Sequence, residues 1–284
     1  MVRCEVNMTV KNQPKIAFIG GGNMASAIIE GLIKSGYDQS RILASAPSKG
    51  TRSHLATTYN INIAEKNNVA AYFADIIILA VKPALIPQVS REIAFTLRTL
   101  GLKTPIISLA AGTSFSQLEN YFVNWPIFQA MPNLPSSVTQ GLTGIVPNKY
   151  VIARERSMAL QIFERIGEVL WLADEKNLPA IVAMAGSAPA YFFMFLEAME
   201  QVGVQMGLSQ GHSAQAALQS GLGACLMAAD SDQAFEELRA RVTSPNGTTE
   251  QAINSLKDDN FQKVIANAMW AAADKASQNM ANAC

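Results

Sequence analysis

The stretch Lys15–Ala25 reads Lys-Ile-Ala-Phe-Ile-Gly-Gly-Gly-Asn-Met-Ala, and it decides the fold. The apolar run Ile16 to Ile19 stops at three glycines. A helical pattern starts behind them: Met24, Ile28 and Leu32 recur every fourth residue, with Ala25, Ile29 and Ile33 beside them. Strand, glycine turn and helix is the order that a G-x-G-x-x-A dinucleotide fingerprint needs, with Gly20, Gly22 and Ala25 at its three positions. Gly20 permits the tight turn, Gly22 lets the backbone approach a pyrophosphate, and Ala25 allows close helix–strand packing. The diphosphate would sit on the free N–H groups of the helix N-terminus, at Asn23 and Met24. A tight turn that binds nothing uses the same glycines. The motif's place, after the first good strand and opening a long amphipathic helix, favours cofactor binding.

The second strand indicates which cofactor. Arg41–Ala46 is a short apolar run about twenty residues past the glycines, where NAD enzymes place an acid against the ribose 2′-OH. No acid stands here. The turn reads Ser45-Ala46-Pro47-Ser48-Lys49-Gly50-Thr51-Arg52, and its hydroxyls and two cations suit a 2′-phosphate that a carboxylate would repel. A solvated polar turn is the plainer alternative. The reading is NADPH, with NADH possible.

The 284 residues allow two domains. A hydrophobic content of 49% and a positive mean hydropathy imply a large core or a large buried interface. Lys+Arg and Asp+Glu both number 22, so no global field draws the chain to nucleic acid or to an acidic membrane. Residues 1–14 form a polar extension with no apolar signal region. No apolar stretch reads as membrane-spanning without interruption. Cys4, Cys225 and Cys284 are scattered and make neither a disulfide framework nor a metal-ligand spacing. His54 and His212, the only histidines, lie in polar surroundings. The expectation is a cytoplasmic protein without metal, nucleic-acid or membrane partners.

Apolar runs alternate with helical patterns up to about residue 173. Strands are expected at 75–81, 105–110, 127–130, 142–146 and 169–172, and a helix at 152–166 closed by Gly167. That alternation predicts a parallel sheet with right-handed crossovers. From Asn177 onward alanine, methionine and leucine recur with helical spacing and no strand is evident. Pro179 and Pro189 fall where helices begin, and Ser187 reads as an N-cap. The expected fold is an α/β Rossmann-type N-terminal domain at 15–175 plus an all-α C-terminal substrate-binding and dimerisation domain at 176–284. The small, apolar surface of helices at 188–206 and 213–229 points to a buried subunit interface.

Three further segments follow expected strands or open helices. Ala80-Val81-Lys82-Pro83, Ala110-Ala111-Gly112 and Met131-Pro132-Asn133 all fall at strand carboxyl ends, where open α/β sheets hold ligands. Lys82 reads equally as a phosphate partner or a solvated loop cation. Thr243-Ser244-Pro245-Asn246-Gly247-Thr248-Thr249 makes a turn before a helix, and Thr248 with Gln251 matches a capping box. Such a start could hold a small carboxylate or be a capped helix and nothing more. There is no Ser–His–Asp set, no H-E-x-x-H and no Walker motif. This fits an enzyme whose nicotinamide carries the chemistry.

In combination these blocks resemble the Δ1-pyrroline-5-carboxylate reductase family, in collinear order from about Lys15 to the C-terminus. Ile19 to Ala25, Ala80 to Pro83, Ser108 to Gly112, Ala130 to Pro135, Gly186 to Tyr191 and Thr243 to Thr249 carry the likeness. The resemblance implies reduction of pyrroline-5-carboxylate to L-proline by NADPH or NADH, and a helical domain interlocking in homodimers or decamers. It implies substrate contacts at Ser187, Gly247, Thr248 and Thr249, with the Thr249 hydroxyl at the ring nitrogen. It places Ser45 and Asn67 near the adenosine ribose and its phosphate, with Ser48 and Lys49 in the same turn. Ala80, Val81, Lys82, Pro83, Ala110, Ala111 and Asn133 fall in the cofactor segments. The family usually has Arg at Gln129, Gly-Gly where Asn246-Gly247 stands, and Lys-Asp-Met or Lys-Asp-Asn where Arg239-Ala240-Arg241 stands. A 3-hydroxyacid-type dehydrogenase would need a lysine in 188–206, and there is none. A reductase of another small imino or oxo acid, or a non-catalytic NADP-binding paralogue, are the remaining alternatives.

Overall fold

The computed structural model describes residues 13–282. Most of the expected N-terminal extension, with Cys4, and Cys284 at the other end lie outside the described residues. The chain divides into two compact units. One comprises 13–187 with 272–282, and the other is Ala188–Ala271.

The first unit holds eight strands: β1 Ile16–Ile19, β2 Ile42–Ser45, β3 Asn62–Ala64, β4 Ile76–Leu79, β5 Ile106–Ser108, β6 Ile127–Met131, β7 Gly141–Pro147 and β8 Gly167–Trp171. They form one sheet in the order β3-β2-β1-β4-β5-β6-β7-β8. Its helices are α1 Asn23–Lys34, α2 Lys49–Tyr59, α3 Asn67–Phe73, α4 Ile86–Thr99, α5 Phe115–Glu119, α6 Ala153–Phe163 and α7 Leu178–Ile181. β1, β2 and β4 are buried along their whole length, as strands covered on both faces must be. Two apolar cores result. One, around Phe18, Ile28, Leu32, Phe128 and Phe163, includes the buried face of α1. The other, around Ile19, Ile77, Ile93 and Phe122, includes that of α4. Fully burying side chains of this size contributes about 1.5–3 kcal/mol each.

Three sequence expectations change here. The sheet is not wholly parallel, because β7 runs antiparallel to β6. The short link between them, which includes the 3-10 turn Leu134–Val138, has no crossover helix to reverse the chain. β3 was not anticipated: it has three residues, two of them exposed, so neither an apolar run nor an alternation marks it. The helix expected at 152–166 stops at Phe163, and Gly167 opens β8 instead of closing the helix. Gly167 has φ +151°, and a Cβ there would lie 1.8 Å from Gly141 O. Glycine is required by that β7–β8 approach, not by a helix end.

The second unit is all helical: α8 Ala188–Gln205, α9 Gln210–Ala229, α10 Phe235–Arg241, α11 Thr248–Asp258 and α12 Phe261–Asn282, whose last residues from Ala272 belong to the first unit. Ser209 caps α9 by accepting from His212 N–H at 3.2 Å. α8 and α9 cross where Gly203 meets Ser213, since a Cβ at Gly203 would sit 2.8 Å from Ser213 Oγ. Pro179 stands in the first turn of α7 and Pro189 in that of α8, as expected. Ser187 is not an N-cap. It follows a π turn, Val182–Gly186, has helical φ −90° and ψ −24°, and donates its N–H to Val182 O at 2.8 Å. The helical run Glu175–Gln205 is long and apolar enough, by length and composition alone, to cross a membrane, a length the sequence reading did not credit. Little of it is buried within the single chain.

Candidate functional site

β1 and β4 lie side by side, yet the chain leaves β1 toward β2 and β4 toward β5. At this reversal a crevice opens beyond the carboxyl ends of the strands. Gly20 sits at its floor with φ +105°, donating its N–H to Ser45 O at 2.9 Å. A Cβ there would lie 2.5 Å from Ala80 O, and Ala80 N–H donates to Ile19 O at 2.9 Å. The turn thus brings Gly20, Ser45 and Ala80 together, and only glycine fits. Gly21, which the fingerprint leaves free, is also constrained, because a Cβ would meet Leu55 Cδ1 at 2.6 Å. Gly22 differs from both. It is the N-cap of α1, exposed, and a Cβ on it would meet nothing within 4 Å. The first turn of α1 has no side-chain cap and no acid. Its unpaired N–H groups at Asn23 and Met24 therefore face open space with a favourable dipole for an anion. Ala25 is buried where α1 meets the sheet.

At the end of β2, Ser45 Oγ donates to Asn67 Oδ1 at 2.8 Å, and Asn67 Nδ2 donates to Glu92 Oε2 at 2.9 Å. Ser45 and Asn67, 22 residues apart, are one hydrogen-bonded pair. Ser48 caps α2, accepting from Thr51 N–H at 3.4 Å. Lys49 follows, exposed and with no side-chain bond among the described residues. Arg52, whose position in the turn suggests a second cation for a 2′-phosphate, is engaged elsewhere. Its Nη1 donates to Ala46 O and Pro47 O, both at 2.8 Å, and its Nη2 pairs with Glu65 Oε2 at 3.2 Å. The side chain is 15% exposed and its charge already has a partner, so Arg52 braces the loop.

Across the crevice, Val81 is half-buried, and Lys82 is exposed with no side-chain bond among the described residues. Pro83 opens the 3-10 turn Pro83–Leu85. After β5, Thr113 N–H donates to Ala110 O at 3.2 Å, and Gly112 adopts φ +90°. A Cβ on Gly112 would come within 2.9 Å of the Asn279 backbone, so the end of α12 closes over this turn. Pro83, Ala111, Thr113, Tyr121 and Asn279 line a cleft of about 760 Å³. Asn133 is buried and engaged at both ends: Nδ2 donates to Ala185 O at 3.1 Å, and Oδ1 accepts from Leu142 N–H at 2.9 Å.

In the helical unit, the turn before α11 has Asn246 at φ +60°, a conformation asparagine tolerates. Thr248 does not form the expected capping box. Gly247 is the N-cap and Thr248 is the first helical residue. Glu250 instead reaches back, its Oε2 accepting from Asn246 N–H at 2.7 Å. The hydroxyls of Thr248 and Thr249 are thereby left out of the cap, and Gly247 contributes no side chain. Arg241 Nη1 donates to Gln233 Oε1 at 2.8 Å, in the segment before α10.

Two residues of this region were not read as functional in the sequence. Buried Gln129 on β6 donates from Nε2 to Thr113 O at 2.7 Å and to Glu175 Oε2 at 3.0 Å. Glu175 Oε2 also accepts from Phe115 N–H at 2.8 Å. The two are 46 residues apart, so no spacing signals the pair. Among the described residues no group of three or more His, Cys, Asp or Glu could hold a metal ion.

Comparisons with known proteins bear on both units. Residues 175–279 match the family described as pyrroline-5-carboxylate reductase dimerisation. Residues 15–112 match the family described as NADP oxidoreductase, coenzyme F420-dependent. The pyrroline-5-carboxylate reductase of Pseudomonas aeruginosa is 39% identical over 93% of this chain and 96% of its own length. That of Escherichia coli is 35% identical over 94% and 98%. The structure of a pyrroline-5-carboxylate reductase from Coxiella burnetii superimposes with a TM-score of 0.87 at 37% identity, covering 94% of this chain and 99% of that one. The Plasmodium falciparum pyrroline carboxylate reductase, solved with NADP bound, does so with a TM-score of 0.84 at 29% identity, covering 94% and 98%. With relatives of this identity matched over nearly their full length, the chain belongs to the pyrroline-5-carboxylate reductase family.

Proposed function

We propose that this protein reduces Δ1-pyrroline-5-carboxylate to L-proline with NADPH as the hydride donor, the final step of proline biosynthesis. The observation that carries the reading is the end-to-end likeness to reductases of that name, with an open, uncapped glycine turn at the strand-order reversal. NADPH, when bound, supplies the hydride. The residues present suit it: Gly22 leaves room for a diphosphate, and the N–H groups of Asn23 and Met24 are free to hold one. NADPH is favoured over NADH because β2 ends on Ser45 and not on an acid, with Ser48 and Lys49 exposed beside it. Asn67 keeps Ser45 in place. Ala80 to Pro83 and Ala110–Ala111 form the opposite wall, and Asn133 supports the fold behind it.

The substrate side is assigned to Ser187, Gly247, Thr248 and Thr249. The start of α11 offers N–H groups and two hydroxyls to a carboxylate, and Thr249 Oγ1 would orient the ring nitrogen. Positioning supplies most of the rate when the cofactor carries the chemistry. On this reading 15–175 is the cofactor domain and 176–284 the substrate-binding and dimerisation domain of a cytoplasmic enzyme. Dimers would be the unit of a larger, decameric assembly, and neither nucleic acid nor a membrane takes part. A turnover assay with pyrroline-5-carboxylate and NADPH, with proline as the measured product, tests the activity. NADPH binding without proline formation would leave a regulatory NADP-binding protein. Faster reduction of another cyclic imine would move the substrate.

A further inference from the structure

The turn after β5 contributes Ala111 and Thr113 to the cleft of about 760 Å³, and two side chains from distant parts of the chain fix it. Gln129, only 3% exposed, projects from β6 and donates to Thr113 O. Glu175, at the start of the 3-10 turn that follows β8, accepts from Phe115 N–H, the first residue of α5. The two side chains are joined to each other by Gln129 Nε2 and Glu175 Oε2. The amide cannot be turned over, because its oxygen would then oppose both the Thr113 carbonyl and a carboxylate. In the orientation it has, Oε1 is buried and has no partner among the described residues, and Gln129 lines a small gap with Ser108, Ala111, Gly112 and Met131. An orphaned buried acceptor costs about 1–3 kcal/mol.

We propose that Gln129 and Glu175 are positioning residues for the cofactor. Together they hold the turn 110–115 at the width the cleft requires, and they act through Thr113 O and Phe115 N–H without touching the cofactor. The turn also makes local hydrogen bonds: Ala110 N–H donates to Ser108 Oγ at 3.3 Å, Thr113 N–H to Ala110 O at 3.2 Å, and Ser114 and Gln117 form a capping box, whereas Gln129 and Glu175 tie it to distant parts of the chain. One acceptor, Glu175 Oε2, serves both the amide and the α5 N–H, so loss of either side chain frees the turn at one end. The proposal rests on the reductase reading above for the identity of the cofactor.

The test uses the full chain and measures the dissociation constant of NADPH by fluorescence titration, kcat and KM by turnover, and Tm. Gln129→Met keeps the volume and removes the donor. Glu175→Ala removes the acceptor, whereas Glu175→Gln keeps one oxygen able to accept both bonds. Gln129→Met and Glu175→Ala are expected to raise the NADPH dissociation constant about tenfold, as loss of a charge-assisted bond does. KM for NADPH should rise in step and kcat should fall less, while Glu175→Gln stays within about twofold of the parent. Unchanged NADPH affinity in Glu175→Ala overturns the proposal, as does a Glu175→Gln variant no better than Glu175→Ala. If Gln129→Met fails to fold, the Glu175 pair decides. Failure of the reductase reading is distinguishable, because the parent protein would then bind NADPH without forming proline.

Discussion

The two units treat apolar side chains in opposite ways. In the first, Phe18, Ile28, Phe128 and Phe163 are wholly enclosed by two cores on either side of the sheet. In the second, only Ser213 and Ala217 are buried within 188–271, while Phe193, Met206 and Trp270 are 69%, 80% and 68% exposed. A sheet covered by helices on both faces closes its own core. Beyond their own crossing at Gly203 and Ser213, the two adjacent apolar helices leave their large side chains uncovered, and an exposed patch of this extent marks an interface. The match of 175–279 to a dimerisation family identifies the covering element as a second copy of the chain. The contrast teaches that the first unit buries its large apolar side chains within the chain, whereas the second leaves them to be covered by self-association.

The largest effect should come from breaking that association. Phe193→Asp on α8 is expected to abolish the oligomer and leave the helical unit poorly folded. The similarly exposed Phe95→Asp on α4 should leave mass and folding unchanged. Light scattering at low micromolar protein, with circular dichroism, compares the two. Loss of assembly in both variants, or in neither, would remove the distinction between the units.

Next is catalysis. Thr249→Ala should lower kcat/KM for pyrroline-5-carboxylate about tenfold or more, if a hydrogen bond to a charged or reacting group is worth roughly 1.5–3 kcal/mol. NADPH affinity should hardly change, because the glycine turn belongs to the other unit. Parent-like kinetics would reduce the start of α11 to an ordinary helix terminus.

A smaller effect separates the two cations of the β2 turn. Lys49→Ala should weaken NADPH a few-fold and leave NADH unaltered. Arg52→Ala should weaken both cofactors, since Arg52 holds the Ala46 and Pro47 carbonyls. Dissociation constants for both nucleotides in each variant give the answer. A purely NADPH-specific loss in Arg52→Ala would return that side chain to the 2′-phosphate.

The smallest effect is a pH dependence. Partial burial, and secondarily the Glu168 carboxylate, hold the Glu164 carboxyl above its usual range. A raised pKa means the folded state favours the protonated acid. Its stabilising contribution is therefore complete below the ordinary carboxylate pKa and disappears as pH rises through the folded value. Glu164→Gln should raise Tm slightly at neutral pH, and the gain should shrink on acidification toward pH ~4.5. A gain that grows on acidification would contradict the assignment.

Much of the first unit could be read directly. Ile16 to Ile19 and the glycines define strand and turn by local rules, and the strand at 75–81 is apolar because both its faces are covered. β3 was missed because a three-residue edge strand with exposed Asn62 and Ile63 carries no pattern. The reversal at β7 was missed because strand periodicity has no direction. In the helical unit, spacing found the helices but not their caps. Ser187 and Thr248 have the residue types of caps, yet the π turn before one and the reach of Glu250 to Asn246 at the other placed the chain differently.

The sequence by itself determined the strand–glycine turn–helix unit, most of the alternation of strands and helices, the apolar surplus of 188–229 and the family resemblance. Each is written in contiguous residues or in composition. Only the tertiary structure decided that Gly21 and Gly167 are fixed by Leu55 and Gly141, that Arg52 is bound to a loop, and that Gln129 meets Glu175. Apart from the Arg52 bonds to Ala46 and Pro47, these contacts join residues 26 to 46 positions apart. A chain's local pattern cannot specify which distant atoms its folding brings within hydrogen-bond reach.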